Sequence, residues 1–261
     1  MLHVTDFWTR ADRRHYVCRR VAKPIDLDGA RTDPAWSGIL QSEAFVDITG
    51  DPDLRPRFET RVQMAWDTHF LYVRAVLEEP HVWGTITEKN AVMFEDNDFE
   101  IFVDPDADGL NYYEFEINAL GTIWELSLPK PYADGGQPRL GCNIDGLKRV
   151  VRVDGTVNDP TDTDRGWSVE VAIPWSGLRQ YHNGRLSPPR PGDVWRINFS
   201  RVQWQHEIVE GRYVRIPPHG TPLAESLNPE EQEHPEDNWV WSPQGQVNMH
   251  LPRRWGSVEF A

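Results

Sequence analysis

Six carboxylates fall within EIFVDPDADGLNYYEFEIN, residues Glu100 to Asn118, and no other stretch of the chain gathers so much potential chemistry. The turn Asp104-Pro105-Asp106-Ala107-Asp108-Gly109 offers oxygen ligands at positions 1, 3 and 5 with Gly at 6, the opening pattern of a calcium loop. An EF-hand then needs a bidentate Glu at position 12, where this chain has Phe115, and the flanks alternate like strands, so the turn is no EF-hand. Two readings stay open: Asp104, Asp106 and Asp108 hold calcium in a hairpin turn, or the Asp and Gly residues serve turn geometry and solubility.

Side chains on a strand alternate between its faces, which sorts the flanking runs cleanly. Phe99, Ile101 and Val103 share one apolar face, as do Tyr113, Phe115 and Ile117; the opposite faces carry Asp98 and Glu100, and Glu114, Glu116 and Asn118. Paired as a hairpin, the runs bring Glu100 near Glu116 or Asn118 on the side away from the core. Like charges across a ladder are destabilising, so such a face needs a neighbouring Arg, a cation, ligand hydroxyls or simple solvent exposure. Two carboxylates about 5–10 Å apart also describe glycoside hydrolysis, with Glu100 and Glu116 as acid and base or nucleophile. The motifs G-x-S-x-G and H-E-x-x-H and a Gly-rich phosphate loop are absent, and the scattered histidines suggest no multi-His metal site.

The elements that must carry these residues read as short strands. Period-two or continuous apolar runs rich in Val, Ile, Phe, Tyr and Trp cover 60–66, 70–77, 99–103, 112–118, 122–126, 147–153, 167–173, 195–204 and 255–260, separated by Gly, Pro and Asp. That pattern predicts an all-β chain, an antiparallel, jelly-roll-like β-sandwich. Helix is confined to short turns, at Asp33-Pro34-Ala35-Trp36 with Asp as N-cap and at 174–178. Two long loops, 129–141 and 217–238, are rich in Pro and polar residues; the second reads as an acidic excursion in preference to a lid over a site. Residues 1–22 read as an N-terminal extension and 23–261 as a single domain.

Composition narrows the partners. A formal net charge of −14 without a basic cluster argues against nucleic acid and anionic membrane and favours a neutral or cationic ligand or a metal. Twelve tryptophans in a chain of mean hydropathy −0.61 exceed what a core needs, so most are expected inside and the rest free to stack on a ligand. Cys18 and Cys142 follow no C-x-x-C spacing and indicate neither a zinc site nor a disulfide framework. The first twenty residues lack an apolar signal region and no apolar run is long enough to span a bilayer, so the chain as written reads as cytoplasmic.

Four blocks, IDLDGARTDPAW, VQMAWDTHFLYVRAVLEEP, FEDNDFEIFVDPDADGLNYYEFEIN and WVWSPQGQVNMHLPRRWGSVEF, occur in that order from about Pro24 to the C-terminus. The chain thereby resembles the family-nine carbohydrate-binding modules, in particular stand-alone relatives of the modules attached to xylanases. The resemblance implies a β-sandwich whose concave side binds oligo- or polysaccharide without catalysis, structural calcium with no other cofactor required, an extracellular setting, and a separate glycan-active enzyme as a possible partner. It puts the ligand-bonding acid of the first hairpin strand on Glu100 and the family's Asn on Asn118. The family's Arg two residues earlier is Glu116 here, and its first stacking Trp is Phe94. The second stacking Trp falls near Met249-His250, where no Trp is present, which makes His250 a site candidate by position and leaves the sugar preference of those modules untransferred. Trp83 and Trp124 are further stacking candidates. Arg201 is expected as the counter-charge to the acids, its alternative being a structural ion pair under the sheet. Oligomeric state and sugar identity do not follow from these residues.

Overall fold

A computed structural model describes residues 13–29, 34–183, 188–217 and 234–261. Its strands are β1 (His15–Arg20), β2 (Val46–Asp47), β3 (Thr60–Trp66), β4 (Phe70–Leu77), β5 (Asp98–Asp104), β6 (Tyr112–Asn118), β7 (Ile123–Leu128) and β8 (Arg139–Leu140). The second half of the chain supplies β9 (Lys148–Asp154), β10 (Gly166–Pro174), β11 (Val194–Gln203), β12 (Gln205–Val209), β13 (Arg212–Ile216), β14 (Asp237–Val240) and β15 (Gly256–Phe260). Among the described residues helix is limited to single turns, including α1 (Trp175–Leu178) and the 3-10 turns Pro34–Trp36 and Met93–Glu95; the expected N-cap Asp33 lies outside the described residues.

Among the described residues, thirteen strands join in one curled sheet, β8-β7-β6-β5-β11-β15-β1-β3-β4-β10-β9, with β14 added beside β11 and β2 beside β14; β12 and β13 form a separate hairpin. The sheet is mixed, which corrects the purely antiparallel expectation. Strand β1 runs parallel to β15 through His15–Cys18 and parallel to β3 through Arg19–Arg20, so it links the two halves. The cause is visible in HYVCRR: Tyr16 and Cys18 point into the core, and the Tyr16 hydroxyl accepts the Met64 backbone N–H at 2.9 Å. Residues 15–20 are therefore part of the sheet.

One core serves both halves of the curl. Val62, Met64 and Val73 from β3 and β4 pack in the same cluster as Phe99, Phe115 and Phe199 from β5, β6 and β11. The apolar face predicted for β5 and β6 is the face that meets this core. Every residue of both strands is buried, however, so their acidic face is roofed as well. A second cluster lies over it, in which Phe102, Tyr112, Trp124 and Leu126 meet Met93, Tyr132, Val240, Met249 and Trp255. Turn and loop segments supply much of this roof, and these carry no strand periodicity to announce them. Every tryptophan among the described residues is buried, against the expectation of exposed stacking rings; Trp8 lies outside them. Both cysteines are free thiols, Cys18 buried and Cys142 half-buried.

Candidate functional site

The register across the sheet aligns the site. Trp124 pairs with Glu116, Glu116 with Glu100, Glu100 with Ser200 and Ser200 with Val240, so one row crosses β7, β6, β5, β11 and β14 on the roofed face. The adjoining row on that face is Asn118, Asp98, Val202 and Asn238. Above the rows lies a recess of about 80 Å³, open to solvent, with Glu100, Glu114, Glu116 and Trp124 on its sheet side. Phe94, Tyr132, His250 and the segment His234–Asn238 contribute to its walls.

Each wall residue is held by local chemistry. Phe94 sits on the Met93–Glu95 turn, whose Phe94 carbonyl accepts the Trp204 indole N–H at 2.8 Å and whose Glu95 carbonyl accepts the Arg215 guanidinium at 3.1 Å. Its ring lies 6.2 Å from that of Trp124, tilted by 40°. His250 shares a hydrogen bond with the Tyr112 hydroxyl at 3.1 Å and meets the Tyr132 ring edge-on at 4.6 Å. Burial pushes its imidazole down to about 3, so it is neutral at pH 7, 3.9 Å from Glu114. Its segment is anchored where the Trp255 indole donates to the Met249 carbonyl at 2.7 Å. On the opposite wall His234 bonds Glu236 at 2.8 Å and the Asn238 amide donates to the same carboxylate at 2.9 Å. These residues close the loop expected as an excursion, and they form wall; residues 218–233 lie outside the described residues.

The acids are electrostatically expensive. Burial pushes the Glu100 carboxyl up to about 7, with the charge of Glu236 adding to the effect. Asp98 and Glu116 are raised well above the carboxylate range, by burial first and then by the charge of Glu100. Glu114 moves the same way for the same reasons. Oxygens of Asp98, Glu100 and Glu116 lie within 4.8 Å of one another, and Oδ2 of Asp98, Oε2 of Glu116 and the Trp124 indole N–H have no hydrogen-bond partner among the described residues.

Of the residues expected in the site, Phe94, Glu100, Glu116, Trp124 and His250 meet at the recess, and three others do not. Arg201 pairs in register with Phe99 and so occupies the opposite face. There it is buried between Phe58 and Trp239 and donates to Glu79, Gln203 and Thr60, the Glu79 contact being 3.0 Å. It is a structural ion pair, and the recess acids are without that counter-charge. Asn118 shares their face, but its amide is consumed locally: it donates to the Ile86 carbonyl and Asp96, and accepts from the backbone of Leu120 and Thr122. It fixes the rim loop that Asp96 also ties down through Thr85 and Ile86. Trp83 is 1% exposed and packs with Val202, Trp204 and Tyr213, away from the recess. Asp98, Tyr132 and Glu236 belong to the site without having been singled out. For Asp98 the strand alternation was the available signal, whereas Tyr132 and Glu236 come from loops without one.

The aspartates of the turn lie at the far end of β5, about 20 Å from Asp98 at the usual strand rise. Asp104 accepts the backbone N–H groups of Ala107 and Gly109, and Gly109 holds φ +85°, where a side chain is disfavoured. The Asn183 amide donates to Asp106 and Asp108. Burial, with the charges of Asp106 and Asp108, pushes Asp104 up to about 7. The three carboxylates converge within 4.8 Å and Asp106 Oδ1 is buried without a partner among the described residues, so this oxygen-only set fits a calcium ion.

No helix among the described residues is long and apolar enough to cross a membrane. Residues 27–187 match the model of the family described as carbohydrate family 9 binding domain-like. Among curated proteins, endo-1,4-β-xylanase C of Paenibacillus barcinonensis is 24% identical over 59% of this chain and 12% of its own length. Endo-1,4-β-xylanase A of Thermotoga maritima is 24% identical over 60% of this chain and 13% of its own. The chain thus corresponds to about an eighth of each xylanase. Among solved structures, a protein of Bacteroides uniformis provisionally described as carbohydrate-binding aligns over 95% of this chain and all of its own at TM-score 0.65 and 17% identity. A family 9 carbohydrate-binding module of Caldicellulosiruptor kristjanssonii, solved with cellotriose, aligns over 95% and 93% at TM-score 0.54 and 14% identity. With the family model covering more than half of its length, the chain belongs to the carbohydrate family 9 binding domain-like family.

Proposed function

We propose that the chain binds a saccharide, without catalysis, in the recess over β5, β6 and β7. The observation that carries this reading is the row Trp124–Glu116–Glu100 beneath Phe94: aromatic faces for sugar C–H surfaces stand next to carboxylates that accept from hydroxyls. Family membership supports it, as do family 9 module structures holding cellotriose and glucose on the same fold. An oligo- or polysaccharide is the ligand class that suits a recess open to solvent, and His250 and Tyr132 line its wall, His250 where a second stacking ring would stand. The two halves of the curled sheet then act as the layers of a jelly-roll-like β-sandwich. A calcium ion on Asp104, Asp106 and Asp108 would stiffen the hairpin turn. By analogy with the xylanases, such a binder serves a glycan-active enzyme outside the cell.

Hydrolysis is the weaker reading. It needs two acids flanking a glycosidic bond, and Glu100 and Glu116 are register partners side by side on one sheet face. Calorimetric titration with cellotriose, glucose and xylo-oligosaccharides, with product analysis of the same mixtures, tests both. Saturable binding that Glu100→Gln weakens, with no released sugar, is the expected result. Turnover that disappears in Glu100→Gln and Glu116→Gln overturns it.

A further inference from the structure

Four acids line the recess, Glu100, Glu114, Glu116 and Glu236, and no lysine or arginine does among the described residues. His234 answers Glu236, and His250 is neutral. Arg201 is on the other face of the sheet, committed to Glu79. Buried carboxylates without a cation or donor are costly, and a fold retains them where something completes them.

We infer that Asp98, Glu100 and Glu116 form a divalent-cation site at the floor of the recess, distinct from the turn aspartates, of the donor type that calcium takes. The geometry fits: one oxygen from each residue lies within 4.8 Å of the others, a span that a single ion at about 2.3–2.6 Å from each oxygen can bridge. Two of the three residues present a buried oxygen without a partner among the described residues, Asp98 Oδ2 and Glu116 Oε2. A further observation is independent of the acids. The Trp124 indole N–H, next to Glu116 in the register and lining the recess, is buried and unpartnered too, so the recess is left incomplete beyond the acids and offers a donor to an oxygen of whatever fills it, an ion-bound water or a sugar hydroxyl. Asp98 comes from the adjoining row while Glu100 and Glu116 line the recess, so an ion held by the three has the cavity on the side of the two glutamates. Those positions take water in the free protein and sugar hydroxyl oxygens in the complex. This last step, a cation shared between protein and sugar, rests on the saccharide-binding reading; the cation site itself does not.

Titrating Ca²⁺ alone into chelator-stripped protein tests the site, using Asp106→Asn/Asp108→Asn protein so that the turn is silent. One Ca²⁺ per chain is expected, weakened at least tenfold by adding Glu116→Gln or Asp98→Asn while the near-ultraviolet circular dichroism is unchanged. If the turn variant does not fold, the same substitutions in the otherwise natural chain must lower the stoichiometry by one ion. No Ca²⁺ bound at millimolar concentration, or binding indifferent to both recess substitutions, overturns the inference. Cellotriose titration with and without chelator then separates the two readings. Affinity falling at least tenfold in chelator supports the shared cation. Equal affinity removes it and leaves saccharide binding standing. Ca²⁺ binding that depends on Glu116, with no saccharide bound under any condition, removes the saccharide reading and leaves the cation site.

Discussion

Strand β5 begins and ends in a carboxylate cluster, and the two clusters differ in what surrounds them. At the turn, Asp104 is met by two backbone N–H groups, and Asp106 and Asp108 share the Asn183 amide. At the recess, Asp98, Glu100 and Glu116 stand beneath a roof of loops, with buried oxygens that the described residues leave unanswered. Similar side chains thus meet more donors at the turn, where Asp106 Oδ1 is the one oxygen left buried without a partner among the described residues, than at the recess, where Asp98 Oδ2 and Glu116 Oε2 are both left so. Hydrogen-bonding environment, and not acidity, distinguishes the two clusters.

The strongest way to break this contrast is to remove the ring that floors the recess. Trp124→Ala should cost about 3–5 kcal/mol in denaturant unfolding, as large core truncations do, and abolish saccharide binding. A loss below about 1 kcal/mol would mean that Trp124 is not packed as described.

The pH dependence of stability sharpens the contrast next. Glu100 sits near 7 in the fold against an ordinary 4.5, so the folded state holds a proton that the unfolded chain releases. Its contribution is present below about pH 4.5 and is lost as pH rises through about 7. His250 works in the opposite sense: held neutral down to about 3 against an ordinary 6.5, it contributes above pH 6.5 and loses that contribution as pH falls. Metal-free Glu100→Gln protein removes only the first effect. Its stability relative to the unsubstituted chain should rise by roughly 3 kcal/mol between pH 4 and 8, measured by denaturant melts in chelator. A constant difference across that range would show that Glu100 is solvated.

The smallest effect belongs to the turn. Asp108 is exposed and accepts the Leu110 backbone N–H at 2.7 Å, so Asp108→Ala in chelator should cost about 1 kcal/mol or less. It should leave saccharide affinity untouched. A large loss of affinity would erase the distinction between the two ends.

Much of this was readable from alternation, and the failures share one cause. The runs 60–66, 70–77 and 112–118 coincide with β3, β4 and β6, and the pairing of Glu100 with Glu116 follows from the same period-two pattern. What alternation cannot say is which face of a strand a roof will cover. Alternation leaves open whether the acids of β5 and β6 face solvent, a cation or a ligand, because the loops that cover them have no period. Arg201 looked like their counter-charge because its face depends on the register of β11 against β5, a long-range pairing. Strand β1 was overlooked for a related reason: six residues with two inward side chains gain their meaning from β15 and β3, far along the chain. Asn118 is on the acidic face as expected, yet the turn after β6 and the rim loop at Ile86 and Asp96 use its hydrogen bonds.

The central claim, that the recess and not the turn is the binding site, is tested most directly by cellotriose calorimetry on three proteins: the unsubstituted chain, Phe94→Ala and Asp108→Ala. The account predicts at least a tenfold loss of affinity for Phe94→Ala, about 1.4 kcal/mol, and none for Asp108→Ala. Equal affinity in all three, or a loss confined to Asp108→Ala, would contradict it.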